Sequence, residues 1–203
     1  MEECKNKLNM YYIPKDYLSI KPSEFSYKLY INLCYYSFWN PFMDNKHKDR
    51  VEHYILDYGY KTLSDHFKTI GYNISRIKIQ KQIEKNRVYR IKEHEEFNEI
   101  IGKNLCWNSP ASNFTKISLT QMKEILNEDE MCIRFYILLQ GWKYKEINGI
   151  TREELLSMIG YSNSGNNLNK FSKYTKRLKE LNLLEYEKHS TGEGKTYITY
   201  HKK

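Results

Sequence analysis

Apolar residues recur at helical spacing in two stretches of this chain that resemble each other. In "TREELLSMIGYSNS", residues 151–164, Leu155, Leu156 and Ile159 fall on one side of a helix. Thr151 and Glu154 have the spacing of a capping box, and Gly160 stands where a left-handed residue closes a helix. The earlier stretch "TLSDHFKTIGYNIS", residues 62–75, matches it at one offset (151 − 62 = 89): Thr62 falls on Thr151, Phe67 on Leu156, Ile70 on Ile159, Gly71 on Gly160, Tyr72 on Tyr161 and Ser75 on Ser164. Upstream, "YIPKDYLSIKPSEFSYKLYINL" resembles "KISLTQMKEILNEDEMCIRFYILL", with Tyr30, Ile31 and Leu33 on Tyr136, Ile137 and Leu139 at a larger offset (136 − 30 = 106). The difference assigns the first copy an insertion near 43–60.

Each copy predicts a short strand followed by three helices. In the second, "KISLT" is strand-like and "TQMKEIL" a short helical turn. A longer helix is predicted to open at Asn127, with Glu130 in capping-box spacing, and to carry Ile133, Tyr136, Ile137 and Leu138 toward a core. After the helix that opens at Thr151, "YSNSGNN" reads as a turn. The helix that follows it puts Leu168, Phe171, Thr175 and Leu178 on one side and Asn166, Asn169, Lys170, Lys173, Lys176 and Arg177 on the other. No acid occurs between Glu154 and Glu180, whereas an idle solvated face normally mixes both signs.

The end of the sequence, "HSTGEGKTYITYHKK", superficially suggests a phosphate-binding loop. That motif needs a glycine where His189 stands and a helix afterwards, and the residues following Thr196 favour a strand. Gly192 and Gly194 therefore predict the turn of a hairpin. The first copy places Arg76, Lys78, Lys81 and Lys85 on a helix with Ile79 and Ile83 inward. "RVYRI" and the acidic "KEHEEFNEI" follow it, with no glycine-tipped hairpin. "CWNSPASN", residues 106–113, reads as a linker between domains 1–105 and 114–203. The expected class is mainly α with small β-hairpins, an α+β protein.

The net charge of +8, from 33 basic and 25 acidic residues, suits a polyanionic partner. Cys4, Cys34, Cys106 and Cys132 are far apart with no CxxC pair, which points to reduced thiols and to neither zinc nor a disulfide scaffold. The first ten residues lack the apolar core of a signal peptide, and the run "CIRFYILLQGW" contains Arg134 and is too short to span a bilayer. A soluble cytoplasmic protein is expected, away from membranes. The six histidines form no His-hydrophobe-His pair, "EHEEF" lacks HExxH spacing, and no arginine pair accompanies Tyr197 and Tyr200. No catalytic residue, metal or cofactor is predicted, so the chain is not read as an enzyme.

A helix ending in glycine, a turn, a basic helix and a hairpin, in that order over residues 114–203, resembles the winged-helix family of DNA-binding domains. Two such units in tandem, each introduced by a strand and a short helix, are similar to the two-winged-helix replication initiators of plasmids and phages. The resemblance implies a double-stranded DNA partner, with the basic helix in the major groove and the hairpin as a wing. It makes Ser164, Asn166, Asn167, Asn169, Lys170, Lys173, Tyr174, Lys176, Arg177 and Lys195 candidate contacts. Asparagine pairs bidentately with adenine, and lysines neutralise phosphates. Arg177 is expected to grip backbone, Ser164 to act as phosphate donor or helix cap, and Tyr174 as phosphate donor or partly buried flank.

The first copy has the insertion and lacks a wing, which leaves Arg76, Lys78, Lys81 and Lys85 as a second DNA surface or a protein interface. A second copy of the chain or replication-machinery proteins would be the partners there. Replication initiation at an origin is the expected role. A transcriptional regulator and a protein-interaction module of a replication or segregation complex are the alternatives.

Overall fold

The structure, a computed structural model, describes residues 10–43, 50–56, 59–85, 105–108, 113–190 and 196–203. Its elements run in chain order β1 (Met10–Pro14), α1 (Tyr27–Tyr36), β2 (Phe38–Met43), β3 (Arg50–Leu56), α2 (Tyr60–Thr69), α3 (Arg76–Lys85), β4 (Leu105–Asn108), β5 (Phe114–Ser118), α4 (Leu119–Ile125), α5 (Glu130–Gly141), β6 (Glu146–Ile147), α6 (Arg152–Met158), α7 (Gly165–Glu180), β7 (Leu184–Ser190) and β8 (Thr196–Lys202). The class is α+β. The strands form antiparallel sheets of order β1-β5, β2-β3-β4 and β6-β8-β7.

Two compact units emerge, one formed mainly by Leu29–Pro110 and the other by Met10–Lys28 with Ala111–Lys203. The linear division into 1–105 and 114–203 therefore misplaces residues 10–28. They go with the second unit because β1 pairs with β5 from Met10↔Ser118 to Pro14↔Phe114, and the carbonyls after β1 are held by α5, as described below. The expected linker also differs, since Cys106, Trp107 and Asn108 lie in β4, which pairs with β3. The expected insertion near 43–60 contains β3, the central strand of that sheet.

The repeat seen in the sequence recurs as a repeat of hydrogen bonds. In the first unit α2 closes with Tyr72 N donating to Phe67 O at 2.8 Å and Gly71 N to Lys68 O at 3.1 Å. In the second, α6 closes with Tyr161 N to Leu156 O at 2.9 Å and Gly160 N to Ser157 O at 3.1 Å. Gly71 and Gly160 have φ of 81° and 78°, the left-handed conformation that glycine enters without a Cβ penalty. The serines four residues on start the next helices alike: Lys78 N donates to Ser75 Oγ at 3.4 Å, and Asn167 N to Ser164 Oγ at 3.3 Å.

Burial follows the predicted faces closely. Ile79 and Ile83 are buried on α3, as are Leu155 and Leu156 on α6, and Phe171, Thr175 and Leu178 on α7. On α5, Ile133, Tyr136 and Ile137 are buried while Leu138 is half-buried. The Thr151–Glu154 capping box forms, and so does one at Ser118 and Gln121 that starts α4.

The predicted box at Asn127 does not form. Helix α5 starts at Asp129, whose side chain makes no capping bond, and the Glu130 carboxylate turns elsewhere. It accepts hydrogen bonds from Tyr27 N, Lys28 N and Ser26 Oγ, each at 2.8 Å, and so caps the start of α1 instead. It also accepts from Arg134 Nε at 2.6 Å. Arg134 is fully buried, and its Nη1 donates to Leu18 O at 2.8 Å, Ile20 O at 2.7 Å and Ile159 O at 3.1 Å, while Nη2 donates to Phe25 O. One guanidinium thus fastens the segment after β1 to α5 and to the end of α6. Isolated carbonyls in such an interior would each be costly, and the arginine fork satisfies four.

Candidate nucleic-acid interface

Helix α7 owes its placement to local chemistry at its start and to apolar packing along one side. Ser164 is its N-cap, the structural of its two expected roles. Phe171 packs edge-on to Phe135 of α5 at 4.5 Å between ring centroids, and Leu178 is buried one turn beyond Thr175. Leu168 is only half-buried, because it lines a cavity of about 570 Å³ with Ile150, Arg152, Tyr197 and Tyr200. This seating turns the polar side outward. Asn166, Asn169, Lys170, Lys173 and Lys176 are all exposed, on the face opposite Phe171 and Thr175.

The remaining candidates on this helix are tied to their own chain. The Asn167 amide donates to Ser162 O at 2.8 Å and Ser162 Oγ at 3.2 Å, which stiffens the turn before α7. Arg177 pairs with Glu128, at 3.0 Å from Nε and 2.9 Å from Nη2, and reaches Glu180 at 3.5 Å. The hydrogen bond to Glu128 raises its already high pKa. Tyr174 donates to Asp129, and burial followed by that bond pushes its phenol upward. Glu128 and Asp129 thus occupy Arg177 and Tyr174, and leave Lys170, Lys173 and Lys176 as the cations of the exposed face. Sequence periodicity missed both acids, since they precede α5 and meet α7 only in the folded chain.

The hairpin follows. β7 and β8 pair from Leu184↔Lys202 to Ser190↔Thr196, and β6 adds to the far side of β8 through Glu146↔His201 and Ile147↔Tyr200. Because Thr196–Lys202 is strand, the "GEGKT" sequence does not open a helix as a phosphate-binding loop requires. Gly192, Gly194 and Lys195 lie outside the described residues. On the outward side Tyr197 is 46% exposed and stacks on His189, with centroids 4.8 Å apart and ring planes at 18°. On the inward side Tyr200 is buried beside Thr175 and Arg152, and burial pushes its phenol up to about 12.

At the base of the hairpin Glu185 accepts from Lys203 Nζ at 2.8 Å and pairs with Lys179 Nζ at 2.9 Å. These two bonds, Lys203 first, lower its pKa from 4.5 to about 2. A carboxylate depressed by folding stabilises above its unfolded pKa, and that contribution is lost as pH falls from 4.5 toward 2. The side-chain carbon shift of Glu185 is expected to titrate near 2, and Lys203→Ala to move the midpoint up toward 4.5. An unchanged midpoint in the variant would remove Lys203 as the cause.

On α3, Arg76, Lys78 and Lys81 are exposed, and the side chain of Lys85 lies outside the description. Gln80 donates to Glu84 at 2.8 Å, so this helix carries an acid where α7 has Lys173. The "RVYRI" segment lies outside the described residues. Among the described residues no group of three or more His, Cys, Asp or Glu could hold a metal ion, and no helix is long and apolar enough to cross a membrane. Cys34 and Cys132 are buried, and burial pushes the Cys132 thiol up. Compared with family models, with curated proteins and with solved structures, the chain matches none of them.

Proposed function

We propose that the chain binds double-stranded DNA, with α7 in the major groove and the β7–β8 hairpin alongside as a wing, and that it serves as a replication initiator at an origin. The observation that carries this reading is the face of α7. Asn166, Asn169, Lys170, Lys173 and Lys176 are exposed together, the three lysines form no ion pair among the described residues, and the opposite side is buried. A row of uncompensated ammonium groups on a rigid helix is suited to displacing phosphate counterions.

The topology supports a winged-helix reading of both units. In the second, strand β6 between α5 and α6 pairs with β8 beyond α7; in the first, β3 between α1 and α2 pairs with β4 beyond α3. The matching turns at Gly71 and Gly160 and the matching caps at Ser75 and Ser164 add to that support. Tandem readers favour an origin-binding role over a regulator that uses one domain.

Lys173→Ala is expected to weaken binding to all duplexes alike and to reduce the slope of log affinity against log salt by about one unit. Equal slopes for variant and parent would take Lys173 off the phosphate backbone. Footprinting on the DNA that flanks its own gene separates the roles. An initiator protects repeated sites through both units, and a regulator protects one short palindrome.

A further inference from the structure

Resting on the duplex-binding reading above, the first turns of α3 and α7 indicate which base pairs are read. The equivalent serine caps, Ser75 and Ser164, allow α3 and α7 to be compared position by position. At the second helical residue stand Ile77 and Asn166, and at the fifth stand Gln80 and Asn169. Ile77 is 60% exposed, an apolar side chain in solvent on the first turn, with Arg76, Lys78 and Lys81 exposed around it. That ring of positive charge fits a polyanion better than a protein surface. Asn166 and Asn169 are exposed as well, whereas the amides of Gln80 and Asn167 are spent on Glu84 and Ser162. The one guanidinium of α7, on Arg177, is held by Glu128 and Glu180.

Each accessible uncharged group at these positions, Ile77, Asn166 and Asn169, matches an A·T pair. A carboxamide donates to adenine N7 and accepts from its N6 amino group, an apolar side chain packs on the thymine 5-methyl, and guanine is read most often by arginine. We infer that the protein selects A·T-rich duplex, with adenine read by Asn166 and Asn169 and the thymine methyl by Ile77. The lysines of α7 follow at helical spacing and serve the phosphates.

The test uses the full chain and four double-stranded probes at matched salt: alternating poly(dA-dT), poly(dA-dU), poly(dG-dC), and poly(dA-dT) containing 7-deazaadenine. Uracil lacks only the methyl group, and 7-deazaadenine lacks only the N7 acceptor, so neither change alters the phosphates. The A·T duplex is expected to bind at least roughly fivefold tighter than G·C, and uracil to weaken binding about fourfold, the value of one buried methyl. Ile77→Ala should bind the thymine and uracil duplexes equally. Asn166→Ala with Asn169→Ala should lose the penalty for 7-deazaadenine. Both sites are exposed, so these variants leave the packed core intact.

Equal affinity for A·T and G·C duplexes, or preference for G·C, would overturn the selectivity while duplex binding stands. A uracil penalty that survives in Ile77→Ala would overturn the role of Ile77 and point to a protein contact there. No salt-dependent binding to any probe would instead overturn the underlying duplex-binding reading.

Discussion

Arg134→Met is expected to lower the unfolding free energy by about 3–5 kcal/mol, the usual cost of breaking a buried ion pair by removing one partner. Methionine has similar length and fits an apolar interior, so lost volume is not the cause. The cause is what remains: the carbonyls of Leu18, Ile20, Phe25 and Ile159 lose their donor, and Glu130 loses its counter-charge. At this chain length the corresponding fall in Tm is about 10 °C. Urea unfolding of parent and variant measures it. Arg134→Lys should fall between them, because an ammonium keeps the charge but cannot reach four carbonyls and a carboxylate at once. A loss below about 1 kcal/mol in Arg134→Met would mean the segment after β1 is held by its apolar contacts alone.

Gly160→Ala is the second large effect, and Gly71→Ala is its internal control. Both glycines sit in the left-handed region, where an L residue costs about 1–2 kcal/mol. They differ in their surroundings. A Cβ at Gly71 meets nothing within 4 Å, while one at Gly160 would lie 2.3 Å from Ile20 O and 3.1 Å from Arg134 Nη1. The first is backbone and the second already donates to the carbonyls of Leu18, Ile20 and Ile159, so neither yields easily. Gly71→Ala should therefore cost about 1–2 kcal/mol, and Gly160→Ala about 3–4 kcal/mol as overpacking adds to strain. Equal losses would show that the segment around Ile20 can withdraw without cost. The comparison bears on function as well, since Gly160 precedes by four residues the serine that starts α7. A displaced turn would carry Asn166 and Asn169 with it.

Much of this was legible along the chain because it depends on neighbours in sequence. The capping box at Thr151, the left-handed closures at Gly71 and Gly160, the inward isoleucines of α3 and the outward lysines of α7 all follow from spacings of three and four residues. So does the repeat, whose matching residues make the same hydrogen bonds in each unit. The strand after the glycines follows from its alternation of tyrosine, threonine and isoleucine.

Folding decided what depends on groups brought together from afar. Glu130 had the right spacing to cap its own helix, but backbone donors at residues 27 and 28 and the buried Arg134 offered its carboxylate more than the local site did. Glu128 and Asp129 carry no local sign that they meet α7, yet they occupy Arg177 and Tyr174, and so decide which side chains of the basic helix stay free. Residues 106–108 read as linker by composition and became strand because β3 offered an unpaired edge. Hydrogen-bond periodicity is encoded within a turn of chain, whereas the choice among competing partners for a charge is settled only when distant segments reach hydrogen-bonding distance.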